Sequence, residues 1–180
     1  MFKLFKKIFS ISSSPVAINR NNLEQAEVIA IGEKIQHQIR HLFRGSLAIR
    51  QVDAGSDNAC EQELVALSNA FYDVERFGIH FVASPKHADM LLVTGPVTQN
   101  MAEALRRAYE VTPDPKIVVA IGDDALDAGI YKGSYAVAGG VAAVVPVHYH
   151  IPGDPPTPKT ILYHLLAILE KLDGTTVQVK

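Results

Sequence analysis

The sequence predicts a three-layer α/β sandwich built on a parallel sheet of flavodoxin-like type. Three observations carry that expectation. From Ser46 onward, short apolar runs of strand length alternate with helical stretches, the pattern of strand–crossover–strand units. Glycines concentrate where the runs end, at Gly55, Gly95, Gly122, Gly139, Gly140 and Gly153, permitting tight turns and close backbone approach. At 180 residues with 48% hydrophobic side chains, the chain can bury one proper core.

Residues 1–10 place Phe2, Leu4, Phe5, Ile8 and Phe9 on one side of a helical wheel and Lys3, Lys6 and Lys7 on the other. This is a short basic amphipathic helix, suited to a membrane surface or a membrane subunit, or to packing on its own domain. Ten residues bind lipid weakly without a second anchor. Residues 11–22, rich in Ser and Asn and containing Pro15, read as a linker. The organisation is then helix and linker over 1–22, one α/β domain over 23–174 and a tail over 175–180.

A helix is expected over 23–43, where Val28, Ile31, Ile35, Ile39 and Leu42 keep helical spacing. Lys34, His37, Arg40, His41 and Arg44 fill its second half, where the helix dipole favours cations; a docking surface for acidic groups is the other reading. Strands are expected over 47–52, 79–82, 90–93, 117–121 and 144–147, and further helices over 59–77, 98–111 and 158–172. In such sheets ligands sit beyond the carboxyl ends of the strands. Topology alone should therefore bring Asp57, Cys60, Thr94, Asp124 and Asp154 to one edge.

Several function classes are excluded or disfavoured. A net charge of -2 supplies no field for nucleic acid, and no basic stripe replaces it. No apolar run approaches the roughly 18 to 20 residues that span a bilayer, and no signal-peptide core follows the basic start. Cys60 is the single cysteine, so neither an internal disulfide nor a thiolate-only metal site can form from this chain, and a reducing compartment fits. There is no G-x-S-x-G elbow, phosphate-binding P-loop or H-E-x-x-H helix, and the first loop lacks a Ser/Thr-rich cradle for a flavin phosphate.

Several runs carry a family resemblance. They are Gly45-Ser46-Leu47-Ala48-Ile49-Arg50, Asp53-Ala54-Gly55-Ser56 with Asn58-Ala59-Cys60-Glu61, the stretch from Glu75 to Pro85, Val93 to Thr98, and Gly133-Ser134-Tyr135-Ala136-Val137-Ala138-Gly139-Gly140-Val141. Over roughly residues 40 to 172 the chain resembles the small, electron-transferring subunit of membrane-bound group 4 nickel–iron hydrogenases and formate hydrogenlyases. That subunit is related to the 20 kDa subunit of respiratory complex I. The resemblance implies one four-iron four-sulfur cluster held by a C-x-x-C pair and two further cysteines. Carried over, those positions are Asp57, Cys60, Asp124 and Asp154, so only one remains a thiol.

Such clusters are held by soft thiolates, and three hard carboxylates would bind one weakly. No cluster is expected, and the chain should have no independent catalytic activity. Three uses of the aspartates stay open: a hard divalent cation held with His148 or His150, a hydrated proton-handling cluster, or polar filling that pairs with a partner's cations. Glu61 and Glu63 read as acidic residues favoured by the start of a helix, with Glu63 a proton-handling candidate by resemblance.

The implied function is a peripheral-arm subunit of a membrane-associated, complex I-like oxidoreductase complex, acting in assembly or in proton or ion coupling. A redox-active small subunit that carries a four-iron four-sulfur cluster is the alternative. Implied partners are a hydrogenase-like large subunit over the acidic edge and a membrane subunit, on the cytoplasmic side of the inner membrane.

Overall fold

The central strands form one parallel sheet with the spatial order β2-β1-β3-β5-β7. They are β1 (Leu47–Asp53), β2 (Ile79–Phe81), β3 (Met90–Thr94), β5 (Ile117–Ile121) and β7 (Tyr149–Ile151). A computed structural model of the chain describes residues 22–174. Counting these five strands alone, the order is the flavodoxin-like one, with the direction in which strands are added to the sheet reversing between β1 and β3. The expected amphipathic helix over 1–10, most of the linker and the tail lie outside the described residues.

Helices cover both faces. On one side lie α1 (Asn22–Phe43), α2 (Ala59–Ala66) and α5 (Pro158–Leu172); on the other lies α3 (Gln99–Val111) with the short α4 (Asp123–Asp127). β3 sits mid-sheet and is buried at every residue, as its continuous Met-Leu-Leu-Val-Thr run requires. Its Met90 and Leu92 join the core under α1 and α5, while Leu91 and Val93 join the core under α3. The stripe Val28, Ile31, Ile35 and Ile39 of α1 is buried against the first of these, each side chain contributing about 1.5–3 kcal/mol.

Two expected elements differ. The helix expected over 59–77 stops at Ala66, because the Asn69 side chain accepts the Phe71 and Tyr72 N–H groups and offers the backbone an alternative to the helix. After a left-handed Asp73, a single tight turn at Val74–Phe77 closes the segment. The strand expected over 144–147 is loop; the strand is Tyr149–Ile151 instead. Pro146 has no N–H for a ladder, and Val145 reaches the core from the loop. An antiparallel ribbon of β4 (Val97–Thr98) and β6 (Val137–Gly139), unforeseen in the sequence, crosses beside α3.

Candidate functional site

The loop after β1 is held by its own side chains. Asp53 Oδ1 accepts the N–H groups of Gly55 (2.8 Å) and Ser56 (3.0 Å), and Asp57 Oδ1 accepts Ala59 N–H (2.9 Å). These contacts turn the chain into α2, which delivers Cys60 to the interior at its second residue. Gly95 at the end of β3 has φ +71°, and a Cβ there would lie 2.4 Å from the Ser56 backbone, so the two loops pack backbone to backbone.

The loops after β5 and β7 are stitched to each other. Gly122 N–H donates to the Ile151 carbonyl (2.9 Å), Asp123 N–H to the Gly153 carbonyl (3.0 Å), and Gly153 N–H to Asp123 Oδ1 (3.0 Å). A Cβ on Gly122 would stand 2.7 Å from Cys60 Sγ, which places the thiol against bare glycine backbone at the junction. Asp124 follows at the start of α4, its Oδ1 packed over Gly129, where a Cβ would clash.

This convergence has an electrostatic signature. Burial, then the neighbouring charges of Glu61, Asp57, Asp154 and Asp124, push the Cys60 thiol up to about 12, so it is protonated at neutral pH. Burial, followed by Asp154 and Asp57, also raises the Asp124 carboxyl above the usual range. The structure therefore brings Asp57, Cys60, Asp124 and Asp154 together, with Asp57 and Asp154 exposed and Asp124 half-buried. None of the three aspartates makes an ion pair among the described residues.

Glu61, read from sequence as a favoured surface residue, is instead buried at 7% exposure. Ser56 Oγ donates to its Oε2 (2.5 Å), and the fully buried Thr94 hydroxyl donates to its Oε1. The only sequence signal was indirect: hydroxyls at the ends of two adjacent parallel strands, facing the first turn of the helix between them. Glu63 has no part in this network; its charge, after burial, raises the hydroxyl pKa of Tyr72.

The two histidines do not act as a pair. His148 precedes β7, at the far end of that strand from Asp154, and its Nδ1 accepts Val118 N–H (2.9 Å). His150 lies within the strand with Nε2 3.0 Å from the Gly122 carbonyl. Among the described residues no group of three or more His, Cys, Asp or Glu side chains is arranged to hold a metal ion. Beyond Asp124 the chain exposes Leu126, Ile130 and Tyr135, the last two at 90% and 97%.

Known proteins share the fold and much of the sequence. The family model for the NADH ubiquinone oxidoreductase 20 Kd subunit matches residues 58–168. A probable membrane-bound hydrogenase subunit of Pyrococcus furiosus is 45% identical, over 84% of this chain and 89% of its own length. Subunit 7 of the Escherichia coli formate hydrogenlyase is 44% identical over 73% of this chain, which spans only 51% of that protein. An uncharacterised protein of Methanocaldococcus jannaschii is 46% identical over 74% of this chain and 90% of its length. Among solved structures, a chain of an archaeal membrane-bound sulfane sulfur reductase superposes with a TM-score of 0.64 at 29% identity, covering 84% of this chain and 77% of that one. A chain of an NAD+-reducing nickel–iron hydrogenase shares the fold, with a TM-score of 0.55 at 19% identity over 75% and 96%.

Proposed function

The chain belongs to the NADH ubiquinone oxidoreductase 20 Kd subunit family, and from that membership we propose that it is a peripheral-arm subunit of a membrane-associated, complex I-like or hydrogenase-like complex. In this version the iron–sulfur cluster is gone and the subunit serves assembly or proton and ion coupling. The relatives support the setting, since they are subunits of membrane-bound hydrogenase and formate hydrogenlyase. Among the described residues no helix is long and apolar enough to cross a membrane, in keeping with peripheral attachment.

One observation carries the loss of the cluster. The four positions equivalent to cluster ligands offer one thiol and three carboxylates. Iron–sulfur clusters are held by soft thiolates, usually four, so this donor set does not fit one. What the edge supplies instead is negative charge, with the exposed Ile130 next in the chain to Gly129, against which Asp124 packs. A large subunit with an apolar, cation-bearing surface fits that edge, because a cation there offsets the partial burial of Asp124. The buried Glu61 with its two hydroxyl donors is the internal carboxylate best placed for proton coupling, ahead of Glu63.

Iron and acid-labile sulfide analysis of the purified complex tests the reading, with the wild-type chain beside an Asp57→Cys, Asp124→Cys, Asp154→Cys triple variant. The wild type should contribute no cluster, while the variant, with four thiols restored, should take one up on reconstitution. Stoichiometric cluster iron in the wild-type subunit would establish the redox-active alternative instead.

A further inference from the structure

A second surface, on the other side of β1 from the core under α1, has no role in the reading above. β2 pairs only with Leu47–Ile49, so the stretch from Arg50 to Asp53 has β3 on one side and no strand on the other. The gap leaves a groove of about 500 Å3 between β1 and α3, with Val52, Pro85, Met101 and Ala104 as its apolar surface and Arg50 and Arg107 as its cations. The two arginines are in different states. Arg107 Nε is engaged by Glu103 at 2.9 Å, whereas Arg50 is half-buried and makes no side-chain hydrogen bond or ion pair among the described residues. Asp53 also lines the groove, but its Oδ1 is committed to the Gly55 and Ser56 N–H groups and it does not pair with Arg50.

An arginine that lies half-buried along an apolar groove with its guanidinium unpaired is best met by a carboxylate, which matches its planar fork. The parts of this chain outside the described residues offer no carboxylate side chain: residues 1–21 and 175–180 contain neither Asp nor Glu. We infer that this groove docks a segment of a partner subunit that presents an Asp or Glu among apolar side chains, the carboxylate on Arg50 and the apolar side chains on Val52, Pro85 and Met101. The inference does not depend on how the acidic edge is used, since it concerns different residues and a partner of opposite charge.

The test places a photo-reactive benzoylphenylalanine at Ala104, an exposed position of α3 in the groove, and irradiates intact cells that express the full complex. The expected adduct joins Ala104 to a peptide of another subunit that contains an Asp or Glu. Arg50→Glu should then lower the adduct yield at least tenfold, equivalent to about 1.4 kcal/mol, and converting the partner's acidic residue to Arg should restore it. If Arg50→Glu also lowers the unfolding temperature, Arg50→Gln at unchanged temperature carries the comparison. An adduct with lipid or with a second copy of this chain, no adduct, a yield unmoved by both Arg50 variants, or failure of the reversed charge to restore it would overturn the inference.

Discussion

Thr94→Val probes the buried Glu61 directly, because valine keeps the shape of threonine and removes only its donor. Thr94 is fully buried and Glu61 nearly so, hence water cannot replace the lost hydroxyl at Oε1. Hydrogen bonds to charged groups are worth about 1.5–3 kcal/mol, so Thr94→Val should cost about 2–3 kcal/mol. Glu61→Gln should cost less, about 1 kcal/mol, because the Thr94 hydroxyl still has an amide oxygen to meet and a second acceptor in the Val52 carbonyl at 3.4 Å. The double variant should then lose about 1 kcal/mol less than the sum, since both changes act on the same hydrogen bond, one deleting its donor and the other stripping its acceptor of charge. Urea unfolding of the four proteins measures all three numbers. A coupling below about 0.5 kcal/mol would refute the network, as distant and independent sites behave that way.

Cys60, held protonated by burial and surrounding carboxylates, should react with iodoacetamide at pH 8 roughly 1000-fold more slowly than an ordinary thiol, the three-unit rise from 9.0 to about 12 setting the thiolate fraction. A rate near that of a free cysteine would show a different environment. Asp124 has a carboxyl pKa raised in the folded state, so the fold binds its proton more tightly than the unfolded chain does. Stability from this group is therefore full below the ordinary value and lost as pH rises through the folded one. Asp124→Asn, which mimics the protonated form, should raise the unfolding temperature at pH 7 with a gain that fades toward pH 4; no gain at pH 7 would contradict the assignment. Gly95→Ala should destabilise by more than about 3 kcal/mol in chemical denaturation, against about 1–2 kcal/mol for Gly133→Ala. Both have positive φ, but only at Gly95 would the methyl meet the Ser56 backbone, whereas Gly133 faces open space. Equal costs would mean that the two loops do not pack.

The sheet was legible because its strands are short continuous apolar runs with glycine turns behind them, and burial on both faces leaves β3 no polar position to alternate with. The same reasoning misplaced the last strand. Residues 144–147 are as apolar as a strand, yet Pro146 and the backbone-tight Gly140 turn them into a loop that feeds Val145 to the core. Meeting of the four loops follows from topology, so the sequence alone groups Asp57, Cys60, Asp124 and Asp154. Glu61 escapes that grouping. Its burial depends on which way an eight-residue helix faces over a parallel strand, a property of tertiary packing that neither helix period nor charge encodes.

The charges left uncompensated divide by surface, and that division bears on assembly. At the loop edge, Asp57, Asp124 and Asp154 are without a cation among the described residues, though lysines and arginines elsewhere pair with Glu27, Glu103, Asp114 and Asp127. In the groove beside β1, Arg50 is without an anion although Asp53 lines the same groove. Each imbalance sits beside apolar surface: Ile130 at one, Val52 and Met101 at the other. Exposed surface charges need no partner, since water screens them. A half-buried carboxylate or guanidinium set against an apolar patch gains more when covered, because a partner removes water from the patch and supplies the missing counter-charge together. Two such places of opposite sign, both reached from the one strand β1, favour two separate contacts with different partner surfaces over a single continuous interface.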